Sequence, residues 1–283
     1  MKTVVVTGVS TGIGNGIAKV LAKAGFEVFG SVRNPADAAA LKQELGEAFQ
    51  PLVFDVTDEA AITAAADQVR AALAGARLDG LVNNAGVAIS GPLALQSPGD
   101  FRRQIEVNLV GPFMVTQAFA PLLGTDPSLA GPPGRIVNIS SIGGKIAFPF
   151  LGAYAASKHA LEGYSESLRR ELLMFGIDVI IVGPGSVATP IWDKAEAAGI
   201  GPFAGSAYDQ ALRKFQDYML GQGRQGFPPE RIGEVVLTAL TAPKPKARYA
   251  AVQGALTNWV LLRLLPKRML DRSVGKSIGL IPK

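Results

Sequence analysis

Short apolar runs alternate with helix-length segments along most of the chain. Residues 3–6 (TVVV) predict a buried strand, and residues 13–24 have the apolar spacing of an amphipathic helix that ends at Gly25. Six further apolar runs predict strands at residues 27–32, 52–54, 78–82, 135–139, 178–182 and 248–252. Strands interleaved with helices are typical of a parallel sheet covered on both faces. The pattern predicts a single doubly wound α/β domain over residues 1–283, with about seven parallel strands.

Composition narrows the classes of function. With 283 residues and 48% hydrophobic content the chain is long enough to bury a large core. It has no cysteine, which excludes a disulfide framework, a thiolate nucleophile and a cysteine-based zinc site. The single histidine, His159, excludes a centre built from several histidines, so no metal is expected. The segment TDPSLAGPPG (125–134) predicts an exposed loop before the fifth strand.

The charge and hydropathy patterns bear on location and partners. No apolar run reaches the roughly 18 residues of a spanning helix, and the first apolar run is too short for a signal peptide, so we expect a cytoplasmic protein. The net charge is +5, but residues 244–283 hold nine Lys and Arg against Asp271 alone, which is +8 and leaves −3 before them. This distribution argues against a nucleic-acid partner and leaves the tail as the candidate contact for an anionic surface.

A glycine-rich stretch, TGVSTGIG (7–14), follows the first strand and precedes the first helix. Its glycines (Gly8, Gly12 and Gly14) allow a ligand close to the backbone, and a helix N-terminus presents unpaired N–H groups to a pyrophosphate. The stretch therefore predicts a dinucleotide-binding turn. A merely structural turn is the alternative.

Two further segments end predicted strands. The second strand ends FGSVRN, and the basic Arg33 there favours the 2′-phosphate of NADP(H) over the ribose hydroxyls of NAD(H). A solvated surface arginine is the alternative. NNAG (83–86) follows the fourth strand at the sheet edge where ligands bind in such folds, although alone it could be only a turn.

The stretch YAASKHAL (154–161) holds the candidate acid/base group. On a helix, Tyr154 and Lys158 share one face about one turn apart, so the ammonium is expected to lower the phenol pKa and prepare Tyr154 for proton exchange with an alcohol or ketone. A bound oxidised nicotinamide, also cationic, would lower it further. His159 points about 100° away from Lys158 and is interpreted as a packed or solvated helix residue.

Together TGVSTGIG, NNAG, the pair SS (140–141), YAASK and PGSVAT (184–189) resemble the short-chain dehydrogenase/reductase family. Within it they are similar to the TGxxxGxG/YxxxK subclass that includes retinol, 11β-hydroxysteroid and 17β-hydroxysteroid dehydrogenases. The resemblance runs from residue 3 to about residue 190. It implies a Rossmann-type fold, a nicotinamide cofactor with NADP(H) preferred and NAD(H) possible, and carbonyl reductase or alcohol dehydrogenase chemistry.

The resemblance also implies residue roles. The catalytic set would be Asn108, which holds a relay water, Ser141, which binds the substrate oxygen, Tyr154, the acid/base, and Lys158, which also binds the nicotinamide ribose. Asp55 and Val56 would contact adenine, Asn84 and Ala85 the adenosine ribose, and Val187 and Thr189 the carboxamide. The full set expected at the cofactor is Gly8, Ser10, Thr11, Gly12, Ile13, Gly14, Arg33, Asp55, Val56, Asn84, Ala85, Tyr154, Lys158, Pro184, Gly185, Val187 and Thr189.

Residues 190–228 match the region that forms a substrate lid in the family. Its aromatic and aliphatic residues, with two phenylalanines before the catalytic tyrosine, suggest a roomy apolar pocket for a hydrophobic substrate. These residues are Phe148, Phe150, Ile191, Trp192, Phe203 and Tyr218. Ordinary core packing is the alternative at each position.

The C-terminal tail, residues 257–283, is apolar and then basic. One interpretation of residues 257–272 is weak peripheral contact with an anionic membrane. The favoured interpretation is that the tail closes the substrate cleft or packs on a partner subunit, because Pro266 interrupts a short apolar run.

The sequence therefore predicts hydride transfer between NADP(H) and an apolar secondary alcohol or ketone. A catalytically silent dinucleotide sensor and an NAD-linked short hydroxyacid dehydrogenase remain alternatives. By resemblance, a homodimer or homotetramer would form through helices near residues 100–123 and 154–175.

Overall fold

Seven strands form one sheet, in which every neighbouring pair is parallel. The computed structural model describes residues 1–254 and 264–281. The strand order is β3-β2-β1-β4-β5-β6-β7. The strands are β1 (Lys2–Val6), β2 (Phe26–Val32), β3 (Phe49–Val53), β4 (Gly80–Asn83), β5 (Arg135–Ile139), β6 (Asp178–Pro184) and β7 (Arg248–Ala251).

Helices connect the strands. They are α1 (Gly12–Lys23), α2 (Pro35–Leu45), α3 (Glu59–Leu73), α4 (Pro98–Ile105), α5 (Gly111–Ala120), α6 (Gly152–Glu171), α7 (Ile191–Ala198), α8 (Asp209–Arg224), α9 (Pro229–Thr241) and α10 (Lys267–Ile278). A π-helical turn, Glu106–Val110, joins α4 to α5. A second, Pro121–Thr125, extends α5 towards the predicted loop.

Two apolar layers enclose the sheet. Alternate residues of a strand point to opposite faces, so Val4 joins the layer formed with α1 and α9, while Val5 joins the layer formed with α3 and α5. Ile17 and Phe119 are fully buried, one in each layer. The fold class predicted from the sequence, a doubly wound parallel sheet with helices on both faces, is confirmed.

The strand order reverses direction between β1 and β4, which in such sheets opens a crevice at the carboxyl ends of the strands. Residues that follow β1, β4, β5 and β6 are brought together there. The predicted strands differ from the observed ones mainly at β3, which begins at Phe49 rather than at residue 52. Pro51 is accommodated because β3 is an edge strand and needs no ladder donor on its outer side.

One helical stretch in the described part of the chain, Pro98–Thr125, is long and apolar enough to cross a membrane by length and composition. Its apolar window is 44% buried inside the fold. Side chains from it, including Val115 and Phe119, belong to the apolar layer over the sheet. The stretch therefore has the burial of a core helix, which makes it weak evidence for a membrane span.

Candidate active site

The glycine-rich turn lies between β1 and α1, as predicted. Gly8 and Gly12 have φ angles of +70° and +62°, in the left-handed region where a side chain is strained. Thr11 precedes α1 and makes no side-chain capping hydrogen bond. The first N–H groups of α1 therefore remain available to a ligand, and a helix N-terminus favours an anion. The turn fits a pyrophosphate on these grounds.

Hydrogen bonds from neighbouring strands hold this turn. The Asn84 side chain donates to the carbonyl oxygens of Thr7 and Gly8, at 2.8 and 3.1 Å. The Thr7 hydroxyl accepts from the backbone N–H groups of Asn84 and Ala85, at 2.9 and 3.0 Å, and the Ser31 hydroxyl accepts from that of Gly8 at 3.0 Å. The Asn84 amide thus binds the turn rather than pointing to a ligand. Thr7 and Ser31 were missed from the sequence, although Thr7 lies inside the quoted motif.

Arg33 and Asp55 lie together at the ends of β2 and β3. The Arg33 guanidinium is 3.9 Å from the Asp55 carboxylate, and its side chain is 71% exposed. Asp55 also accepts hydrogen bonds from the backbone N–H and hydroxyl of Thr57, at 3.0 and 2.8 Å. Val56 is buried against Gly111 at the start of α5. Arg33 is thus an exposed cation at the carboxyl edge of the sheet, with a carboxylate beside it.

Ser141 and Tyr154 meet at the carboxyl end of β5. Ser141 directly follows Ser140 at the end of the strand, and its hydroxyl accepts a hydrogen bond from the Gly143 N–H at 2.9 Å. Tyr154 is in the first turn of α6, and its ring and the Ser141 hydroxyl both lie against Gly143. A Cβ atom at Gly143 would lie 3.2 Å from the tyrosine ring, so glycine keeps this contact close.

Lys158 is one helical turn beyond Tyr154 and is buried. Its ammonium lies 5.9 Å from the centre of the Tyr154 ring and donates to the carbonyl oxygen of Ile139 at 2.9 Å. A Cβ atom at Gly86, in the NNAG segment, would lie 3.7 Å from the ammonium. The shared face of Tyr154 and Lys158 predicted from their spacing is therefore confirmed.

The electrostatics differ from the expectation that Lys158 lowers the phenol pKa. Burial raises the pKa of Tyr154 above its usual value, and the hydrogen bond from Ser141 opposes that rise. Burial also lowers the pKa of Lys158 to about 8, with the nearby Glu162 carboxylate acting in the opposite direction. The protein's own groups thus favour the neutral tyrosine, because the cost of desolvating a charge is the largest effect.

Asn108 lies in the π-helical turn between α4 and α5 and is fully buried. Its side chain accepts from the Val87 N–H and donates to the Val87 carbonyl, both at 2.8 Å, and donates to the Ser157 hydroxyl at 3.0 Å. Ser157 in turn donates to the carbonyl oxygen of Tyr154 at 2.7 Å. Asn108 is therefore connected through hydrogen bonds to α6, which carries Tyr154 and Lys158.

The PGSVAT segment continues from the end of β6. The Gly185 N–H donates to the carbonyl oxygen of Ala251 in β7 at 2.9 Å. A Cβ atom at Gly12 would lie 3.3 Å from the Thr189 methyl group, so Thr189 lies against the glycine-rich turn. The Trp192 indole N–H donates to the Val187 carbonyl at 2.7 Å. Pro184 ends β6. The structure thus brings this segment beside the glycine-rich turn.

The expected lid contains α7 and α8. An apolar cluster, here the lid cluster, joins it to the segment before α6 and consists of Phe150, Ile200, Ala211, Leu212, Phe215 and Ile278. Phe148 and Phe203 pack against it, whereas Ile191 and Tyr218 are exposed. Two edge-to-face ring contacts fill the cluster, from Phe150 to Tyr208 and to Phe215. Part of the apolar set expected to line a pocket is therefore packed core.

The described part of the tail packs against the lid, and the single histidine lies on the surface of α6. Residues 257–263 of the expected membrane-contact segment lie outside the described residues. In α10, Ile278 and Val274 pack at the lid cluster, while the basic side chains Lys267 and Arg268 are exposed. His159 is exposed and its Nδ1 atom pairs with the Ala155 carbonyl of its own helix at 2.8 Å, as expected of a helix surface residue.

A buried ion cluster behind Ser141 was missed from the sequence. The Glu162 carboxylate, 2% exposed, pairs with Arg248 of β7 and with Lys145 after β5. The spacing of four from Lys158 could have placed Glu162 on the same helix face as Tyr154 and Lys158, but no local pattern indicates Arg248. Within residues 1–254 and 264–281 no group of His, Asp and Glu has the arrangement of a metal site.

Known proteins resemble this chain over its whole length. A family model described as short chain dehydrogenase matches residues 2–199. The NADPH-dependent 3-dehydrocapnine reductase of Ornithobacterium rhinotracheale is 36% identical over 278 residues, 98% of each chain. Retinol dehydrogenase 5 of Mus musculus is 35% identical over 281 residues, 94% of this chain and 85% of that one. Among solved structures, a short-chain dehydrogenase from Streptomyces avermitilis superposes on this chain with a TM-score of 0.76 and is 28% identical in sequence. The match covers 100% of this chain and 98% of that one.

Proposed function

The chain belongs to the short-chain dehydrogenase family, and from that premise we propose that it transfers hydride between NADP(H) and an apolar secondary alcohol or its ketone, with Tyr154 as the general acid/base. The observation that carries the proposal is the placement of the Ser141 hydroxyl beside the Tyr154 side chain at Gly143, with the Lys158 ammonium 5.9 Å from the centre of the Tyr154 ring. These are the groups that proton exchange at a carbonyl oxygen requires.

Each catalytic side chain has a distinct role in this proposal. The reduced nicotinamide, when bound, supplies the hydride that converts the carbonyl carbon to an alcohol carbon. Ser141 hydrogen-bonds the substrate oxygen, and Tyr154 donates its proton to that oxygen as negative charge develops there. Lys158 binds the nicotinamide ribose and stabilises the tyrosinate that results. Asn108 holds the segment after β4 against the catalytic helix through Val87 and Ser157.

The residues proposed to bind the cofactor follow the crevice from one end to the other. The pyrophosphate would lie on the turn that begins at Gly8, Arg33 and Asp55 would receive the phosphorylated adenosine, and Val187 and Thr189 would contact the carboxamide. Two observations support a preference for NADP(H): the Arg33 guanidinium is largely exposed at the end of β2, and the 36% identical relative is an NADPH-dependent reductase by name. NAD(H) remains the alternative cofactor that the test below addresses.

An apolar substrate is supported by the surface around the catalytic groups. Leu93 and Leu95, in the segment after β4, are 59% and 49% exposed, and a Cβ atom at Gly152 of α6 would touch the Leu93 side chain. Ile191 of the expected lid is also exposed. Retinol dehydrogenase, among the relatives, acts by its name on a lipophilic alcohol. We propose that these side chains receive the hydrophobic part of the substrate at the mouth of the cleft.

We also propose how the chain is organised into a catalytic domain, a lid and a tail. Residues 1–283 would act as one catalytic domain, with residues 190–228 as its lid and the tail closing the cleft. Phe113, Leu173 and Met174 are exposed on or beside α5 and α6, which is consistent with a homo-oligomer formed through those helices. Light scattering of the purified protein would measure its subunit count.

The proposed function is tested by a cofactor titration and a substrate panel. We expect NADPH to raise the melting temperature more than NADH does, and NADPH oxidation with at least one lipophilic ketone. Equal or weaker stabilisation by NADPH would remove the role of Arg33. Tight cofactor binding without oxidation in a broad carbonyl panel would indicate a silent dinucleotide sensor, and NADH-linked turnover of short hydroxyacids would indicate the other alternative.

A further inference from the structure

A buried carboxylate lies on the catalytic helix one turn beyond Lys158. The Glu162 side chain is 2% exposed and receives three hydrogen bonds from Arg248: from Nε to both carboxylate oxygens at 3.1 and 3.0 Å, and from a terminal nitrogen at 2.9 Å. Lys145 approaches the same carboxylate at 3.2 Å. Two cations thus surround one anion close beneath the active site.

Two glycines leave space for this cluster. A Cβ atom at Gly183 of β6 would overlap the Arg248 guanidinium. A Cβ atom at Gly144 would lie 3.1 Å from the Glu162 carboxylate oxygen. The main chain on two sides is therefore shaped to hold a guanidinium and a carboxylate where larger residues could not fit.

The cluster is connected directly to the proposed catalytic serine. A terminal nitrogen of Arg248 donates to the main-chain carbonyl of Ser141 at 3.3 Å. The Ser141 hydroxyl in turn lies beside the Tyr154 ring at Gly143. Arg248 is on β7, beyond residues 2–199 that the family model matches, so the connection comes from a separate part of the chain.

Stability alone is a weak explanation for such a cluster. Desolvating two cations and an anion costs several kcal/mol per ion, and buried ion pairs elsewhere can often be replaced by apolar residues without loss of stability. A bidentate arginine and carboxylate pair does fix geometry, because the planar guanidinium admits few orientations. Placed behind Ser141, that rigidity bears on where the serine hydroxyl points.

We propose that Arg248 and Glu162 are positioning residues of the reaction: Arg248, oriented by Glu162, fixes the main chain of Ser141, and the cluster sets the electrostatic potential at Lys158 and Tyr154. This rests on the proposed function of the site. In the described residues the charged groups that face Glu162 are Arg248 from β7, Lys145 from the segment after β5, and Lys158 and Glu166 on its own helix. The negative charge of Glu162 favours the protonated form of Lys158 and so raises the lysine pKa.

Opposite charges in the cluster give opposite expectations. Replacing Arg248 by Gln removes a positive charge, leaves Glu162 less compensated and raises the Tyr154 pKa. Replacing Glu162 by Gln removes the negative charge and lowers the Tyr154 pKa, because Lys158, whose pKa is about 8, is already neutral over the pH range in which the phenol titrates. Lys145→Gln acts in the same direction as Arg248→Gln, and its partly exposed side chain makes it the variant most certain to fold.

The experiment titrates Tyr154 in the NADP⁺-saturated protein by ultraviolet absorbance of tyrosinate, each variant being compared with the same variant carrying Tyr154→Phe. Arg135→Gln is the matched control, since Arg135 has the same 19% side-chain exposure as Arg248 and pairs with Asp178 at the opposite end of the sheet. We expect the Tyr154 pKa to rise in Arg248→Gln and Lys145→Gln, to fall in Glu162→Gln, and to be unchanged in the control.

Turnover gives the second measurement. Arg248→Gln should lower kcat about tenfold or more with an unchanged NADPH Kd, since misplacing a catalytic group costs turnover rather than cofactor affinity. Arg248→Lys should recover part of that loss.

The results separate the two proposals. Shifts of the Tyr154 pKa in the same direction for the Glu162 and Arg248 variants, no shift for Lys145→Gln, or an equal shift in the control would overturn the inference. The titration needs no substrate. A wild-type protein that reduces no ketone would contradict the proposed function. The Tyr154 titration would still test the effect of the cluster on Tyr154 in that case.

Discussion

The Lys158 ammonium lies 5.9 Å from the centre of the Tyr154 ring, on the same face of α6. Burial disfavours charge on both groups, because it raises the pKa of Tyr154 and lowers that of Lys158 to about 8. The protein thus holds a neutral phenol beside an amine whose proton is only moderately bound. Positive charge brought by an oxidised nicotinamide would then favour the tyrosinate, so proton exchange is expected to depend on cofactor binding.

Lys158→Met should make the protein more stable at neutral pH while lowering its turnover. The pKa of Lys158 falls from 10.5 to about 8 on folding, so below pH 8 the folded state bears a cost of about 3 kcal/mol for keeping the amine charged. Between about pH 8 and 10.5 the unfolded chain binds the extra proton, and the wild-type stability rises with pH. Methionine removes that cost but leaves the Ile139 carbonyl without its donor, so we expect a gain of about 1 to 3 kcal/mol at pH 7.

Guanidinium denaturation at pH 7 and pH 9.5 measures this effect. The advantage of Lys158→Met should shrink at the higher pH. Lys19→Met, which removes an exposed pair with Glu44, serves as the control and should change stability by less than about 0.5 kcal/mol. A Lys158→Met protein that is less stable than wild type at both pH values would show that the buried ammonium stabilises the fold.

Arg33→Gln should reduce the preference for NADPH. A charge-assisted hydrogen bond to a phosphate contributes about 1.5 to 3 kcal/mol, so the NADPH KM should rise roughly tenfold to a hundredfold while the NADH KM changes little. The Arg33 side chain is 71% exposed, so stability should be nearly unchanged. Steady-state kinetics with both cofactors measures the ratio, with the exposed Arg231→Gln as control. Equal effects on the two cofactors would place Arg33 outside the 2′-phosphate site.

Ile278→Ala tests whether the tail closes the substrate cleft. Ile278 is 6% exposed and packs in the lid cluster, so its truncation should loosen the lid and raise the KM for a lipophilic ketone several-fold without changing the NADPH Kd. Met269→Ala, on the exposed side of α10, should leave the KM unchanged. The membrane interpretation is tested by flotation with anionic vesicles. It would be favoured if the full chain floats with the vesicles and the chain without residues 257–283 does not.

Trp192→Phe should weaken cofactor binding through Val187. The indole N–H donates to the Val187 carbonyl, and phenylalanine keeps a smaller aromatic ring at this position without a donor. Leaving that carbonyl unpaired costs about 1 to 3 kcal/mol, part of which should appear as a higher NADPH Kd by calorimetry. If the Kd stays at the wild-type value, Trp192 has only a packing role in the lid.

Much of the fold follows from local pattern in the sequence. The apolar runs of the central strands and the spacing of α1 act within single elements, so the doubly wound sheet is predicted correctly. The limits of β3 are missed because Pro51 is tolerated only on an edge strand, and the strand order is not visible in that segment.

Within the site, too, residues paired by local helix geometry are predictable from the sequence, whereas residues brought together by the sheet are not. Tyr154 and Lys158 share a face through helix geometry alone, so their spacing suffices to pair them. Glu162 and Arg248 are 86 residues apart and meet only because β7 is placed next to β6 in the sheet. The sequence predicts a lowered Tyr154 pKa, whereas burial in the fold raises it. The spacing of the two residues shows the nearby ammonium but not how much water the phenol loses on folding.

The proposed acid/base role of Tyr154 is measured by the turnover of Tyr154→Phe with NADPH and a ketone that the wild type reduces, together with the NADPH Kd of the same variant. Tyr164→Phe, on the same helix, is the control and should keep wild-type turnover. We expect Tyr154→Phe to lower kcat by at least about a hundredfold, the scale of general acid/base catalysis, with the NADPH Kd unchanged. Wild-type kcat in Tyr154→Phe would contradict the assignment of the proton-donating group.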